Sequence, residues 1–143
     1  MALACVCTIV RRADRALYRL YEDALEGSGL TVTQFSILRD LQRDGASPLS
    51  RLAASLAMER TSLYRTISAL EKNGTVSIKP GPNRKIRVAH LTATGEALIA
   101  RAMPAWQSVQ SRMIDAIGAE SWAALSTTLK TIPNLVEHLD SRS

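Results

Sequence analysis

The chain has 143 residues, 46% of them hydrophobic, which is one domain's worth of sequence with enough apolar side chains to build a core. No stretch has the length and apolarity of a membrane span, and the opening MALACVCTIVRRADRAL has neither a basic segment ahead of its apolar run nor a cleavage site, so a cytoplasmic protein without membrane contact is expected. The net charge of +5 is unevenly spread: from Arg60 to Leu91, Arg60, Arg65, Lys72, Lys79, Arg84, Lys85 and Arg87 stand against Glu71 alone, a net of +6, so the remainder sums to −1.

Leu3, Val6, Val10, Ala13, Leu17, Leu20 and Ala24 follow a 3-4 spacing with charged residues on the other faces, which predicts a long first helix with an apolar seam. Gly27 and Gly29 end it. Thr31, with Gln34 three residues later, makes a capping box for a second helix bearing Phe35, Leu38 and Leu41, and Gly45 closes that helix. Ser47 and Pro48 are the expected N-cap and first residue of a third helix, whose Leu49, Leu52, Ala53 and Leu56 face inward. Ala57 and Met58 then leave a brief turn before a fourth helix that begins near Glu59.

In this fourth helix Leu63, Ile67 and Leu70 form a stripe for burial. At about 100° per residue, Thr61, Arg65, Ser68 and Lys72 fall opposite, flanked by Ser62 and Tyr64. Hydroxyls and cations are the groups that reach phosphates and base edges in a major groove. The bland alternative is an ordinary solvated face; a charge excess confined to this segment argues for a polyanion footprint instead. Two short helices joined by so tight a turn give the helix-turn-helix geometry, with the second placed for the groove. Asn73 and Gly74 stop it. Val76 and Ile78, then Ile86 and Val88, alternate as two strands, and Pro80, Gly81, Pro82 and Asn83 form the tip of a wing that carries Arg84, Lys85 and Arg87.

Thr92 and Thr94 open a long fifth helix lined by Leu98, Ala102, Trp106, Val109, Met113 and Ile117, with Pro104 expected to kink it. After Gly118 a sixth helix carries Trp122, Leu125, Leu129, Ile132, Val136 and Leu139. The terminal helices hold more apolar surface than the central module can cover, so a homodimer interface built from both termini is expected. The fold class is mainly α (α+β): a single domain over 1–143, with a winged helix-turn-helix at about 31–92 between dimerisation helices at about 1–28 and 94–140. There is no nucleophile-base-acid set, no glycine-rich phosphate loop and no metal-binding spacing around His90 or His138, so neither enzymatic activity nor a cofactor is expected.

With these elements in this order, the chain resembles the MarR family of dimeric winged-helix transcription regulators over essentially its whole length. The matching segments are GLTVTQFSIL (29–38), LSRLAASLAMERTSLYRTISALEKNG (49–74) and LTATGEAL (91–98). The resemblance implies a homodimer that sets two recognition helices in successive major grooves of a pseudo-palindromic double-stranded DNA operator, with two wings in the flanking minor grooves. Thr61, Ser62, Tyr64, Arg65 and Ser68 would then face bases and phosphates, with Arg84 or Lys85 in the minor groove and Lys72 and Arg87 completing the set. One departure stands out: family wings usually carry Asp-x-Arg, and the aligned residues here are Asn83 and Lys85, so that charge pair lacks its carboxylate.

The resemblance also implies a signal received where the dimerisation helices meet the DNA-binding lobe. The expected function is a repressor released by a small aromatic or phenolic ligand, with Arg15, Tyr18 and Arg19 as polar contacts and Phe35 and Trp106 as apolar walls. Ordinary packing and surface charge are the competing account of those residues. A thiol-based organic-peroxide sensor is the alternative: Cys7 lies near the family's reactive cysteine and Tyr21 aligns with one supporting tyrosine, while Arg11 and Val32 stand where other tyrosines would be. Cys5 is the candidate resolving thiol, against the reading of both cysteines as small seam residues. A non-regulatory architectural DNA-binding protein is the remaining alternative.

Overall fold

The computed structural model describes residues 3–142; Met1, Ala2 and Ser143, which the expected domain bounds include, lie outside the described residues. In chain order come α1 (Val6–Leu25), a 3-10 turn (Glu26–Ser28), α2 (Val32–Asp44), β1 (Ser47–Pro48), α3 (Leu49–Ser55), α4 (Arg60–Lys72), β2 (Val76–Pro80), β3 (Arg87–Leu91), α5 (Ala93–Ile117) and α6 (Ala119–Asp140). The chain divides into two compact units, one up to Trp106 and one from Gln107. No described helix is long and apolar enough to cross a membrane.

In the first unit α2 opens on the capping box foreseen for it. The Thr31 hydroxyl accepts the N–H of Gln34 at 3.1 Å and the Gln34 amide oxygen accepts the N–H of Thr31 at 3.1 Å. The neighbouring donor, the N–H of Val32, goes 2.7 Å to the Glu22 carboxylate of α1, which ties the end of α1 to the start of α2. Asp40 of α2 accepts the Ser55 hydroxyl of α3 at 2.7 Å. The core beneath is one cluster in which Leu25, Ile37, Leu38, Leu63 and Leu70 are wholly buried, and Ile99 and Ala102 of α5 join it. Full burial of each such Leu or Ile is worth about 1.5–3 kcal/mol.

Three boundaries here differ from the sequence expectation. Ser47 and Pro48 do not cap and begin α3; they form a two-residue strand paired antiparallel with β3, Ser47 opposite Ala89 and Pro48 opposite Val88, so the helix starts one residue later. The sheet is therefore three-stranded in the order β1-β3-β2, not a lone hairpin. Ile86, expected within the second wing strand, lies before β3 and is exposed. Pro80, expected at the tip, is the last residue of β2, where a missing N–H is tolerated on an edge strand.

Both helices of the helix-turn-helix end in a Schellman arrangement. At the end of α4, Thr75 N–H reaches Leu70 O at 3.0 Å and Gly74 N–H reaches Glu71 O at 3.1 Å, with Gly74 left-handed at φ 79°. At the end of α3, Met58 N–H reaches Ala53 O at 2.9 Å and Ala57 N–H reaches Ala54 O at 3.2 Å, and here the left-handed position, φ 50°, is held by an alanine.

After α4 the chain makes its wing and returns to the same point. The buried Thr75 hydroxyl lies 3.0 Å from Leu70 O and 2.6 Å from Asn73 Oδ1, between which it shares its proton. Thr92, leaving β3, donates its N–H to Thr75 O at 3.2 Å and its hydroxyl to Gly74 O at 2.6 Å, and that hydroxyl also accepts the N–H of Gly95 as the N-terminal cap of α5. Gly95 is required by this approach, because a Cβ there would overlap the carbonyl oxygen of Thr75 and the Leu91 side chain.

In the second unit, Gly118 at φ 93° separates the end of α5 from α6, donating to Ile114 O and accepting from Trp122 N, each at 2.8 Å. Pro104 and Pro133 both lie inside helices that continue through them. No residue of α6 is fully buried: Trp122 and Ile132 are half-buried, and Leu125, Leu129, Leu135, Val136 and Leu139 are exposed.

The alanine at the α3 turn yields a direct test. A non-glycine residue in the left-handed region is strained by about 1–2 kcal/mol, and the added unfolded-state entropy of glycine returns about 0.4–1 kcal/mol of that. Ala57→Gly is expected to change stability by about 0 to 1.6 kcal/mol in the stabilising direction, read as a urea midpoint that does not fall and a transition slope that does not change; a lower midpoint would contradict the strain.

Candidate nucleic-acid interface

Three buried residues fix which way α4 faces. Leu63, Ile67 and Leu70 are each at most 3% exposed, so Thr61, Ser62, Tyr64, Arg65, Ser68 and Lys72 are turned outward and all are exposed. The Thr66 hydroxyl is the exception on this helix, since it bonds back to Ser62 O at 3.0 Å. Glu59 precedes the helix as N-cap without a side-chain capping bond, and Leu63 N–H reaches its carbonyl at 3.0 Å.

The wing brings Lys85 and Arg87 beside this face. β2 and β3 pair from Val76 opposite Leu91 to Pro80 opposite Arg87, and the tip closes through Gly81 N–H to Ile86 O at 2.7 Å and Ile86 N–H to Asn83 O at 2.8 Å. Asn83 also accepts the N–H of Lys85 on its side-chain oxygen at 3.1 Å, an Asx turn that shapes the tip. Lys79, Arg84, Lys85 and Arg87 are exposed. Among the described residues the ion pairs join Arg43 to Asp40 and to Asp44 on α2, and neither engages a cation of α4 or the wing.

Helix and wing meet around a cleft of about 270 Å³ lined by Pro48, Leu49, Ser50, Arg60, Tyr64, Lys85, Ile86 and Arg87. Arg60 is the residue here to which the sequence reading gave no role beyond its charge. Its signal was its place one helical turn before Tyr64. A concave surface with three cations and a phenol, open to solvent and next to a polar helix face, is built to take an extended polyanion.

The residues expected to receive a ligand do not all come together. Arg15, Tyr18 and Arg19 line one open cleft of about 470 Å³ on α1, with Asp14 among them. The Tyr18 hydroxyl stands 3.5 Å from Thr33 Oγ1 at the start of α2. Phe35 is 3% exposed and its ring packs on Trp106 with centroids 5.9 Å apart, and neither ring lines that cleft. The stripe of Phe35, Leu38 and Leu41 is core on its whole length. Nearby, burial pushes the Tyr21 phenol above its ordinary value.

Both cysteines are exposed. Cys5 is the N-cap of α1, and its thiol is held below its ordinary pKa first by the backbone N–H of Thr8, then by the Thr8 hydroxyl and the N–H of Cys7. No well-aligned capping bond forms, so the effect is that of amide dipoles near the sulfur. The guanidinium of Arg11 lies 3.9 Å from Cys7 Sγ.

This arrangement has counterparts among known proteins. A sequence profile of the MarR family matches residues 30–85. The transcriptional regulator MosR of M. tuberculosis, solved in complex with DNA, is 33% identical, the match covering 95% of this chain and 98% of that one at a TM-score of 0.85. The chain belongs to the MarR family. It is a DNA-binding transcriptional regulator with a winged-helix fold. YhbI of Bacillus subtilis, an HTH-type transcriptional regulator, is 26% identical over 135 residues, 91% of this chain and 88% of its own. A mutant MarR of E. coli bound to operator DNA shares the fold at a TM-score of 0.80 with 20% identity, over 89% of this chain and 92% of that one.

The depressed Cys5 thiol is measurable. In a Cys7→Ser variant, where Cys5 is the one thiol left, the rate of iodoacetamide alkylation is expected to rise with pH earlier for the folded protein than for the same variant in urea. Amide donors that favour the thiolate are lost on unfolding, so coincident profiles would contradict the assignment.

Proposed function

We propose that the chain is a homodimeric, sequence-specific repressor that reads a pseudo-palindromic operator with α4 and grips its backbone with the wing. The observation that carries this reading is the exposed face of Thr61, Ser62, Tyr64, Arg65, Ser68 and Lys72, whose Tyr64 shares a cleft with Arg60, Lys85 and Arg87, together with the exposed Arg84 and no described ion pair drawing on those cations. Base readout falls to Arg65, near the centre of the helix face, whose guanidinium suits the paired acceptors of guanine. Arg60 joins the wing cations in holding phosphates. A DNA partner supports a cytoplasmic location in this reading.

Apolar surface supports the dimer. Leu3, Val6, Ile9, Val10 and Leu17 are exposed on and before α1, and Leu125, Leu129, Leu135, Val136 and Leu139 are exposed on α6, so each helix has a face for a second copy to cover. The dimerisation parts in this reading are about 1–28 and 94–140, and the winged helix-turn-helix of about 31–92 is the reader.

The division of labour is open to measurement with duplexes that the protein itself selects from genomic fragments. Arg65→Ala is expected to cost about 1–3 kcal/mol on the selected duplex and to blunt discrimination against scrambled sequence. Alanine at both Arg84 and Lys85 is expected to weaken binding to every duplex and to lower the salt slope by about one counterion per lost phosphate contact. Wing changes that altered preference while leaving the slope intact would reverse the assignment. Uniform coating of any duplex by the wild type would favour an architectural role.

For the signal, a planar aromatic anion fits the α1 cleft, where it lies on Tyr18 with its carboxylate between Arg15 and Arg19. Phe35 and Trp106 take part only if their ring contact opens. Release requires the ligand to prefer the state that does not bind DNA. A second reading is favoured by the exposure of both thiols and the amide dipoles at Cys5. In it the Cys7 thiolate attacks an organic hydroperoxide, giving a sulfenic acid and an alcohol, and the Cys5 thiol of a second copy condenses with loss of water to a disulfide. Gel shifts with salicylate and with cumene hydroperoxide separate the two. The ligand reading expects release by salicylate in wild type and Cys7→Ser alike; release by peroxide in wild type alone, with salicylate inert, would establish the thiol reading.

A further inference from the structure

Glu71 is the one carboxylate between Arg60 and Leu91. Its position is unfavourable on local grounds, since it sits in the last turn of α4, where the helix dipole disfavours a negative charge. Its partner accounts for it. Glu71 Oε2 accepts the backbone N–H of Ile78 at 3.2 Å, joining the recognition helix to the first strand of the wing. β2 is an edge strand of the sheet, so N–H groups on its open side have no neighbouring strand to take them. The carboxylate fills that role at the middle residue of the strand.

The same side chain lines a small cleft of about 120 Å³ with Tyr64 and Ser68 of α4, and with Ile78 and Arg87 of the wing. One acid thus faces a groove-side tyrosine and serine on the helix and a cation on β3. Asn83 shapes the tip, and the knot at Thr75 pins the base, but neither bonds the body of β2 to α4. The Glu71 bond is placed to do so.

We propose that Glu71 is a positioning residue for DNA recognition: its bond to Ile78 fixes the wing at one distance from α4, so that wing cations meet the backbone in register with the bases that α4 reads. This rests on the reading of α4 and the wing as the DNA contacts. Its specific content is that the acceptor and its reach matter, and that the negative charge does not.

A crossed pair of variants separates the two. Glu71→Gln keeps the acceptor oxygen and the reach but loses the charge; Glu71→Asp keeps the charge and shortens the reach by one methylene. Each full-length variant is titrated with the duplex that the wild type selects from a random library and with a scrambled duplex of the same length, across a salt series. Amide exchange at Ile78 is followed alongside. Positioning expects Glu71→Gln to keep the selected-to-scrambled ratio within about twofold of wild type, and Glu71→Asp to lower it about fivefold, the scale of one hydrogen bond. It also expects faster exchange at Ile78 and a shallower salt slope in Glu71→Asp alone. If Glu71→Asp matches wild type while Glu71→Gln shifts binding to both duplexes, the residue acts through charge and the proposal fails. It fails equally if both variants keep the wild-type ratio or both lose it. A wild type that selects no preferred duplex would instead overturn the reading of α4 as the base-reading helix.

Discussion

The Thr75 hydroxyl, buried under the end of α4, holds the carbonyl of Leu70 and the side chain of Asn73, while the carbonyl of the same residue receives the chain again at Thr92. The wing is therefore a loop whose two ends are fastened to one spot, and that spot is also the first turn of α5. Gly95 has to be a glycine for the backbones to come so close. Because the end of α4, the base of the wing and the start of α5 share these bonds, none of the three can shift without straining the other two. A change in the position of the α5 start reaches the recognition helix through a backbone contact, with no chain of side chains needed.

The energetics of the reading face follow from separation of roles. Burial of Leu63, Ile67 and Leu70 supplies about 1.5–3 kcal/mol each, whereas like charges on an exposed helix surface cost only about 0.2–0.5 kcal/mol per pair. The hydrophobic stripe outweighs the repulsion severalfold, so α4 and the wing tolerate a cluster of cations with Glu71 as the one acid among them. Acidic partners sit on α2 instead, where Asp40 and Asp44 hold Arg43. That placement leaves the cations of α4 and the wing solvated, and salt with a Debye length of about 8 Å damps their mutual repulsion.

Much of this was legible in the sequence because it depends on local chemistry. The Thr31 and Gln34 box, the Gly74 stop, the outward face of α4 and the cationic wing are each set by a few adjacent residues or by one helical period. What escaped depends on partners far along the chain. Ser47 and Pro48 read as a helix start because two residues are too few to show alternation, and only β3, some forty residues later, makes them a strand. Phe35 read as a pocket wall because periodicity places it on an apolar face without saying whether that face is core or cleft. Cys5 read as part of a helix seam, since the stripe begins at Leu3, and its capping position appears only once the helix start is fixed at Val6. Glu71 was visible as a lone acid, but its partner on the wing was not.

The bond from Lys85 N–H to the Asn83 side-chain oxygen holds the wing tip with an uncharged acceptor. A carboxylate there would be neutralised in strong acid, below about pH 4, and loosened by concentrated electrolyte, and it would compete with phosphate for the adjoining guanidinium. The amide does none of these. Tip shape is thereby uncoupled from protonation and ionic strength, so that when such conditions change the finger keeps its geometry while only the counterions around its cations vary.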